Sequence, residues 1–165
     1  MIGSLTEIII GFEKYLSTHP LCSIAIVGII FLISALISKA SNKRLLILYI
    51  AVILYLTLLN RDVSHKRINL NFFWSYRFLF HDEYLRLEIL NNILLFIPLG
   101  IILAQIYPTW KTIFIPFFLS IGIELIQYVS ARGLLEVDDV ISNSLGGLIG
   151  WAAGILWIRI HNIFS

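Results

Sequence analysis

The chain alternates long apolar runs with short polar ones. Five runs stand out, at residues 21–38, 45–59, 89–106, 112–129 and 140–158. Each comes near the ~20 residues that a helix needs to cross the hydrocarbon core of a bilayer. The pattern therefore predicts five transmembrane helices. Residues 1–20 read differently. Ile2, Leu5, Ile9, Phe12 and Leu16 recur at helical spacing among Glu7, Glu13 and Lys14, as in an amphipathic helix lying in the membrane interface. A signal peptide is the competing reading, but it needs a basic start, and this segment carries Glu7 and Glu13 against Lys14.

Between the second and third runs, NLNFFWSYRFLF (69–80) places Leu70, Phe72, Trp74, Tyr76, Phe78 and Phe80 on alternate positions. Period two predicts an extended segment with one apolar face. Phe73 and Leu79 interrupt the other face, so a re-entrant or interface-lying piece is equally open. Either form makes a hydrophobic lid.

Composition agrees with the pattern. Of the 165 residues, 59% are hydrophobic and 13% charged, with a mean hydropathy of +0.91, beyond the range of an ordinary water-soluble domain. The expected fold is an all-α polytopic membrane protein, a single domain over residues 1–165. Cys22 is the sole cysteine, which excludes an internal disulfide and a cysteine-based metal site. His19, His65, His81 and His161 are scattered without ligand spacing, so neither a metal nor a cofactor is expected. A net charge of +2 argues against a basic-patch nucleic-acid binder.

With five crossings, residues 1–20, 60–88 and 130–139 fall on one face of the membrane and 39–44, 107–111 and 159–165 on the other. The second face holds Lys39, Lys43, Arg44, Lys111 and Arg159 in short segments without an acid, while all ten Asp and Glu fall on the first. Lys/Arg density in short loops sets orientation. The expected location is the bacterial cytoplasmic membrane, with loops 60–88 and 130–139 outside, although the raw Lys/Arg count, five against seven, runs the other way. Tyr107, Trp110 and Trp157 at one interface and Tyr128 at the other fit aromatic anchoring.

Because alternate helices run in opposite directions, several polar positions arrive at one end of the bundle. They are Asn60 and Arg61 after the second run, Asn91 and Asn92 in the third, Glu124 and Gln127 late in the fourth, and Asn143 early in the fifth. Ser120, Glu124, Gln127 and Ala131 form one narrow helical stripe. Asp139, Asn143, Gly146 or Gly147, Gly150 and Gly154 form another, whose small residues allow a close helix crossing. Asn91 and Asn92 read equally as interhelical glue, and Pro98 reads as a kink. Asp138 suits the cap of the fifth helix, yet Asp138 and Asp139 are paired where a cap needs one. Glu124 is the least explicable by architecture alone. A buried carboxylate protonates or finds a cation, and the candidates are Arg61, Arg77, Arg86 and Arg132.

These residues resemble the VanZ-like membrane proteins. The resemblance rests on Asn69, Leu70 and Phe73, then NNILLFIPLG (91–100), IELIQ (123–127), and Arg132 followed by DDVISNSLGGLIG (138–150). It covers residues 45–158. Phe72 stands where the family commonly has Pro, and Ser144 where it often has Thr. The first run and the N-terminal segment look like additions to the shared core, and the namesake's final span looks absent. The resemblance implies a protein that lowers susceptibility to teicoplanin-type lipoglycopeptides, drugs that act outside the membrane and carry a fatty chain.

Two readings of the polar cluster follow. In the first, Arg61, Asn69, Asn92, Glu124, Gln127, Arg132, Asp138, Asp139 and Asn143 bind, without catalysis, a lipid-linked wall precursor or the lipid end of the drug, with Arg holding phosphate or carboxylate and the aromatics the acyl part. In the second, an intramembrane hydrolase or transferase uses Glu124 or Asp139 as general base. The chain carries neither GxSxG nor HExxH, which favours the first. Ion-coupled transport is disfavoured because the opposite half of each helix is nearly free of ionisable groups. Membrane lipids are the expected surroundings.

Overall fold

The computed structural model describes residues 42–59 and 67–164. The predicted first span at 21–38, the amphipathic segment 1–20 and Arg61 lie outside the described residues.

Helix α1 (Asn42–Leu54) widens into a π-helical turn over Tyr55–Leu59. Strand β1 (Arg67–Asn69) follows, then the short helix α2 (Trp74–Arg77). The long helices are α3 (Glu83–Ile106), α4 (Phe114–Ser130), entered through a 3-10 turn at Trp110–Ile113, and α5 (Val137–Phe164). Strand β2 (Leu134–Glu136) lies between α4 and α5. Three helical segments, Glu83–Ile106, Trp110–Ser130 and Val137–Ile163, are long and apolar enough to cross a membrane. Helix α1, with 13 residues, falls short of that length by itself. The protein is thus a mostly helical membrane protein, and among the described residues three of the five expected crossings are long and apolar enough to span.

Local chemistry explains the boundaries. Helix α3 begins six residues before the apolar run because Asp82 caps it, its Oδ1 accepting the N–H groups of Tyr84 at 2.9 Å and Leu85 at 3.2 Å. Pro98 lies inside α3, which continues to Ile106. Helix α4 ends where Ala131 turns left-handed at φ 54°. There the Arg132 N–H reaches back to the Gln127 carbonyl at 2.9 Å, a Schellman closure made without glycine.

Helices α3 and α5 run in the same direction and share the most extensive interface. Gly146, Gly150 and Gly154 advance by one turn each along α5, against the backbone at Ile93, Ile97 and Ile101 of α3. A Cβ on Gly146 would meet the Ile93 carbonyl oxygen, and one on Gly150 that of Ile97. The glycine stripe is therefore a helix seam. Helix α1 closes a core of Tyr49, Ile53, Leu95, Phe96, Leu99, Ile102, Leu103 and Ile123, and the Tyr49 hydroxyl donates to the Leu95 carbonyl at 2.8 Å. Outward, Phe118, Leu125, Ile126, Val129, Leu148 and Leu156 stay exposed, the surface that hydrocarbon would cover.

Of the two forms left open for residues 69–80, the extended one is not found. Only Arg67–Asn69 is strand, paired in parallel with Leu134–Glu136 in the register Arg67↔Leu134, Ile68↔Leu135 and Asn69↔Glu136. After it the chain turns through Phe73 at φ 59° and coils into α2. A left-handed bulky residue is costly, and alternation persists only while backbone remains extended, so the predicted apolar face is broken at Phe73.

Candidate functional site: a polar chamber at one end of the bundle

The ends of α1 and α4 and the starts of α3 and α5 meet at one end of the bundle, where β1 and β2 tie the connecting loops together. The π-turn of α1 leaves carbonyls without helical partners. Gln127 Nε2 donates to the Thr57 carbonyl at 2.9 Å, and Arg132 Nη1 to that of Leu58 at 3.4 Å. Glu124, 3% exposed, accepts the Glu136 backbone N–H on Oε2 at 2.9 Å. That bond seats β2 over the end of α4. Glu136 in turn accepts from Asn69 Nδ2 at 3.2 Å, so the strand pair is also stitched through side chains.

One level down, Asn92 Nδ2 donates to Asp139 Oδ1 at 2.8 Å, joining α3 to α5. Asn143 Nδ2 donates to Ser120 Oγ at 2.9 Å, joining α5 to α4. Both bonds are buried, as polar groups at membrane depth must be. One carboxylate oxygen from each of Glu88, Glu136 and Asp139 lies within 4.8 Å of the others. Like charges that close are mutually unfavourable unless positive charge, protons or donors offset them.

Asp138 corrects the capping expectation. Its Oδ1 accepts the Phe73 N–H at 2.7 Å and its Oδ2 the Ser75 N–H at 2.7 Å. It holds the left-handed turn and the start of α2, more than sixty residues away in sequence, instead of the start of its own helix. Asp139, its neighbour, faces the chamber. The pair divides into one scaffold carboxylate and one site carboxylate. Tyr76, on α2, shares a 2.8 Å hydrogen bond with Ser142 Oγ. Burial raises its hydroxyl pKa above the ordinary value, the Ser142 bond opposes that shift, and the charges of Asp138 and Asp139 add to it.

The structure thus brings together Asn69, Asn92, Glu124, Gln127, Arg132, Asp139 and Asn143 of the sequence-derived set, and places Asp138 beside them in its supporting role. Glu88, Glu136, Ser120 and Thr57 complete the chamber. Glu88 was legible as the residue one turn before Asn92, and Ser120 as the residue one turn before Glu124. Glu136 carried no periodic signal, because its place is fixed by strand pairing.

Not every polar atom is matched. The side-chain carbonyl oxygens of Asn91, Gln127 and Asn143 are buried without a hydrogen-bond partner. Beside the chamber lies a cleft of about 300 Å³ lined by Phe72, Phe117, Ile121, Glu124, Leu125, Leu135, Glu136, Val137 and Val140, with an apolar accessible surface.

Fold and site define a helical membrane protein whose conspicuous chemistry is a buried acid and amide chamber at one end. Residues 46–159 match the VanZ/LLP1 family model, and the chain belongs to that family. It is similar to "Protein VanZ" of Enterococcus faecium, 29% identical over 128 residues that cover 68% of this chain and 72% of that protein. No solved structure matches it.

Proposed function

We propose that this protein lowers susceptibility to teicoplanin-type lipoglycopeptides by binding, without catalysis, an amphiphilic or lipid-linked component of the cell envelope at the polar chamber. The observation that carries the reading is the convergence of buried acid and amide groups from three helices, against the end of a fourth, into one chamber that retains unmatched acceptors. Such groups are costly to bury, and a fold needing only adhesion would pair them. Family membership supports the direction of the effect. The chamber lies in the bacterial cytoplasmic membrane with its mouth and loops 60–88 and 130–139 outside, where such drugs act.

The test is teicoplanin susceptibility in a host expressing the chain. Glu124→Gln and Arg132→Ala should each abolish protection while the protein still accumulates in the membrane; protection unchanged in both would end this reading. The three clustered carboxylates favour a second reading, an intramembrane hydrolase or transferase with Glu124 or Asp139 as base. Product formed from wall-precursor lipids by the purified protein, and lost in Asp139→Asn, would establish it instead.

A further inference from the structure

The lid around α2 carries its amphipathicity inside out. Its polar groups turn toward the protein. Ser75 is buried, with its N–H on the Asp138 carboxylate at 2.7 Å, and the Tyr76 hydroxyl shares a 2.8 Å hydrogen bond with Ser142 Oγ. Its aromatic rings turn away. Trp74 and Phe78, one turn apart and in edge contact at 5.9 Å, are both exposed, as are Phe72 and Phe73 before them, and Phe80 after them is 85% exposed. A segment bathed in water shows the opposite arrangement, because every exposed ring forgoes the gain of burial. Five such rings on one short segment make a patch of the kind that marks a membrane or a partner surface.

Depth and continuity choose the membrane. Phe72 lines the cleft of about 300 Å³ together with Phe117, Ile121 and Leu125, which advance by one turn each along α4, inside a segment long and apolar enough to span. The lid therefore reaches the level of the spanning helices instead of standing above them. Leu125 lies five residues short of the α4 end at Ser130, roughly 8 Å at 1.5 Å per residue. An interfacial segment sinks about 5–10 Å into the boundary between headgroups and acyl chains, which is the same depth. Leu125, Ile126 and Val129 are themselves exposed, so the aromatic surface of the lid continues the face of α4 that hydrocarbon covers. The accessible surface of the cleft is apolar, and its volume falls at the small end of ligand pockets. An alkyl chain fits such a slot without stranding a polar atom, whereas the surface of a folded partner would leave it unfilled. Arg77, exposed among the rings, has a stem long enough to lift its guanidinium to the level of lipid phosphates.

We infer that the α2 lid is seated in the boundary between headgroups and acyl chains, with bilayer lipid as its partner and one acyl chain of that leaflet in the cleft between Phe72 and α4. This seat needs neither the polar groups of the chamber nor a particular sidedness, and so goes beyond the binding reading above. Asp138 and Tyr76 then hold the lid to the protein from within, while the rings hold it to the bilayer from without.

The experiment uses the full chain in phosphatidylcholine nanodiscs, with Cys22→Ser and one nitroxide-labelled cysteine at a time. Molecular oxygen partitions into hydrocarbon and a nickel chelate into water, so the ratio of their relaxation effects reads depth. Phe78→Cys and Phe80→Cys should each give an oxygen-to-nickel ratio severalfold above that of Glu83→Cys, a position whose side chain is 78% exposed, and close to that of Val129→Cys on the outer face of α4. In a second measurement, phosphatidylcholine with a diazirine in its acyl chain should label the 135–140 segment, which borders the cleft. Ile121→Trp should fill the cleft and remove that label while leaving the label at 126–129. Nickel-dominated relaxation at either lid position, the result for a lid held in water to receive a protein, overturns the inference. So does an acyl-chain label that never reaches 135–140, or that reaches it regardless of Ile121→Trp.

Discussion

The Asp138 carboxylate accepts the backbone N–H of Phe73, a left-handed residue, at 2.7 Å. Its other oxygen takes the Ser75 N–H, so one side chain at the head of α5 fixes the entry to α2 and stabilises a backbone conformation that Phe adopts at a cost. Asp138→Ala should therefore destabilise the protein by about 3 kcal/mol or more, since each bond to an ionised acceptor contributes about 1.5–3 kcal/mol and buried N–H groups are left unmatched. Asp138→Asn keeps one acceptor and should lose less. Unfolding in mild detergent, followed by circular dichroism, measures both. Phe73→Gly in the Asp138→Ala background should recover part of the loss, because glycine takes the left-handed turn without strain.

The seam of α3 and α5 gives a second prediction. Gly150→Ala puts a Cβ onto the Ile97 carbonyl oxygen, a backbone atom that cannot step aside, and should cost about 1–3 kcal/mol through forced separation of the helices. Gly122, on α4, has nothing within 4 Å of the corresponding position. Gly122→Ala should leave the fold intact and add about 1 kcal/mol through helix propensity. Opposite shifts of the unfolding midpoint in these two variants would separate packing from propensity; equal shifts would contradict the seam.

The reach of sequence reasoning follows the range of the interactions concerned. The convergence of Asn92, Glu124, Gln127, Asp139 and Asn143 was legible because it needs only helix polarity and the 3.6-residue period. The glycine stripe was legible for the same reason. The role of Asp138 was left open between a cap and the polar cluster because a cap is a local pattern, whereas its partners, Phe73 and Ser75, are reached only through tertiary folding. The form of the 69–80 segment stayed open because alternation cannot report that one residue leaves the extended region. Glu88 fell outside the apolar window that began at Ile89, although Asp82, the cap that starts α3, already stood in the sequence. The crossing expected at residues 21–38 lies outside the described residues, and that expected at 45–59 coincides with helix α1 and its π-helical turn. The carbonyls of that turn serve the chamber.

The pair that joins α5 to α4 is testable by itself. Asn143 Nδ2 and Ser120 Oγ bond at 2.9 Å in a buried setting. A double-mutant cycle of Asn143→Ala and Ser120→Ala should give a coupling energy of about 0.6 kcal/mol and at most about 1.7, the range for interhelical hydrogen bonds in membranes. A coupling near zero would mean that the two side chains are held in place separately.

Tyr76 supplies a pH dependence. Burial, reinforced by Asp138 and Asp139 and opposed by the Ser142 hydrogen bond, raises its folded-state pKa above 10.0. The unfolded chain ionises at the ordinary value, so the stability contributed by the neutral hydroxyl is complete below pH 10.0 and is lost as pH rises from there through the folded value. Tyr76→Phe removes the titration. The wild type should lose stability relative to Tyr76→Phe as pH climbs above 10, and an ultraviolet phenolate titration of the folded protein should show one tyrosine fewer in that window for the variant.

Sidedness decides whether the chamber meets drugs or cytosol, and α3 offers a direct measure. Its 24 residues span roughly 36 Å at 1.5 Å per residue, enough to place His81 and Lys111, both exposed, at opposite faces of the membrane. Cys22 is the sole native cysteine, so Cys22→Ser gives a thiol-free background. In that background His81→Cys should react with an impermeant maleimide in intact cells, and Lys111→Cys only after the membrane is opened. The basic residues Lys111 and Arg159 then lie in the cytoplasm, as the charge rule requires, and the mouth formed by β1, β2 and α2 faces outward. The reverse pattern would turn the chamber toward the cytosol, where it could not intercept a ligand from outside, and the resistance reading would have to be abandoned while the geometry of the site remained.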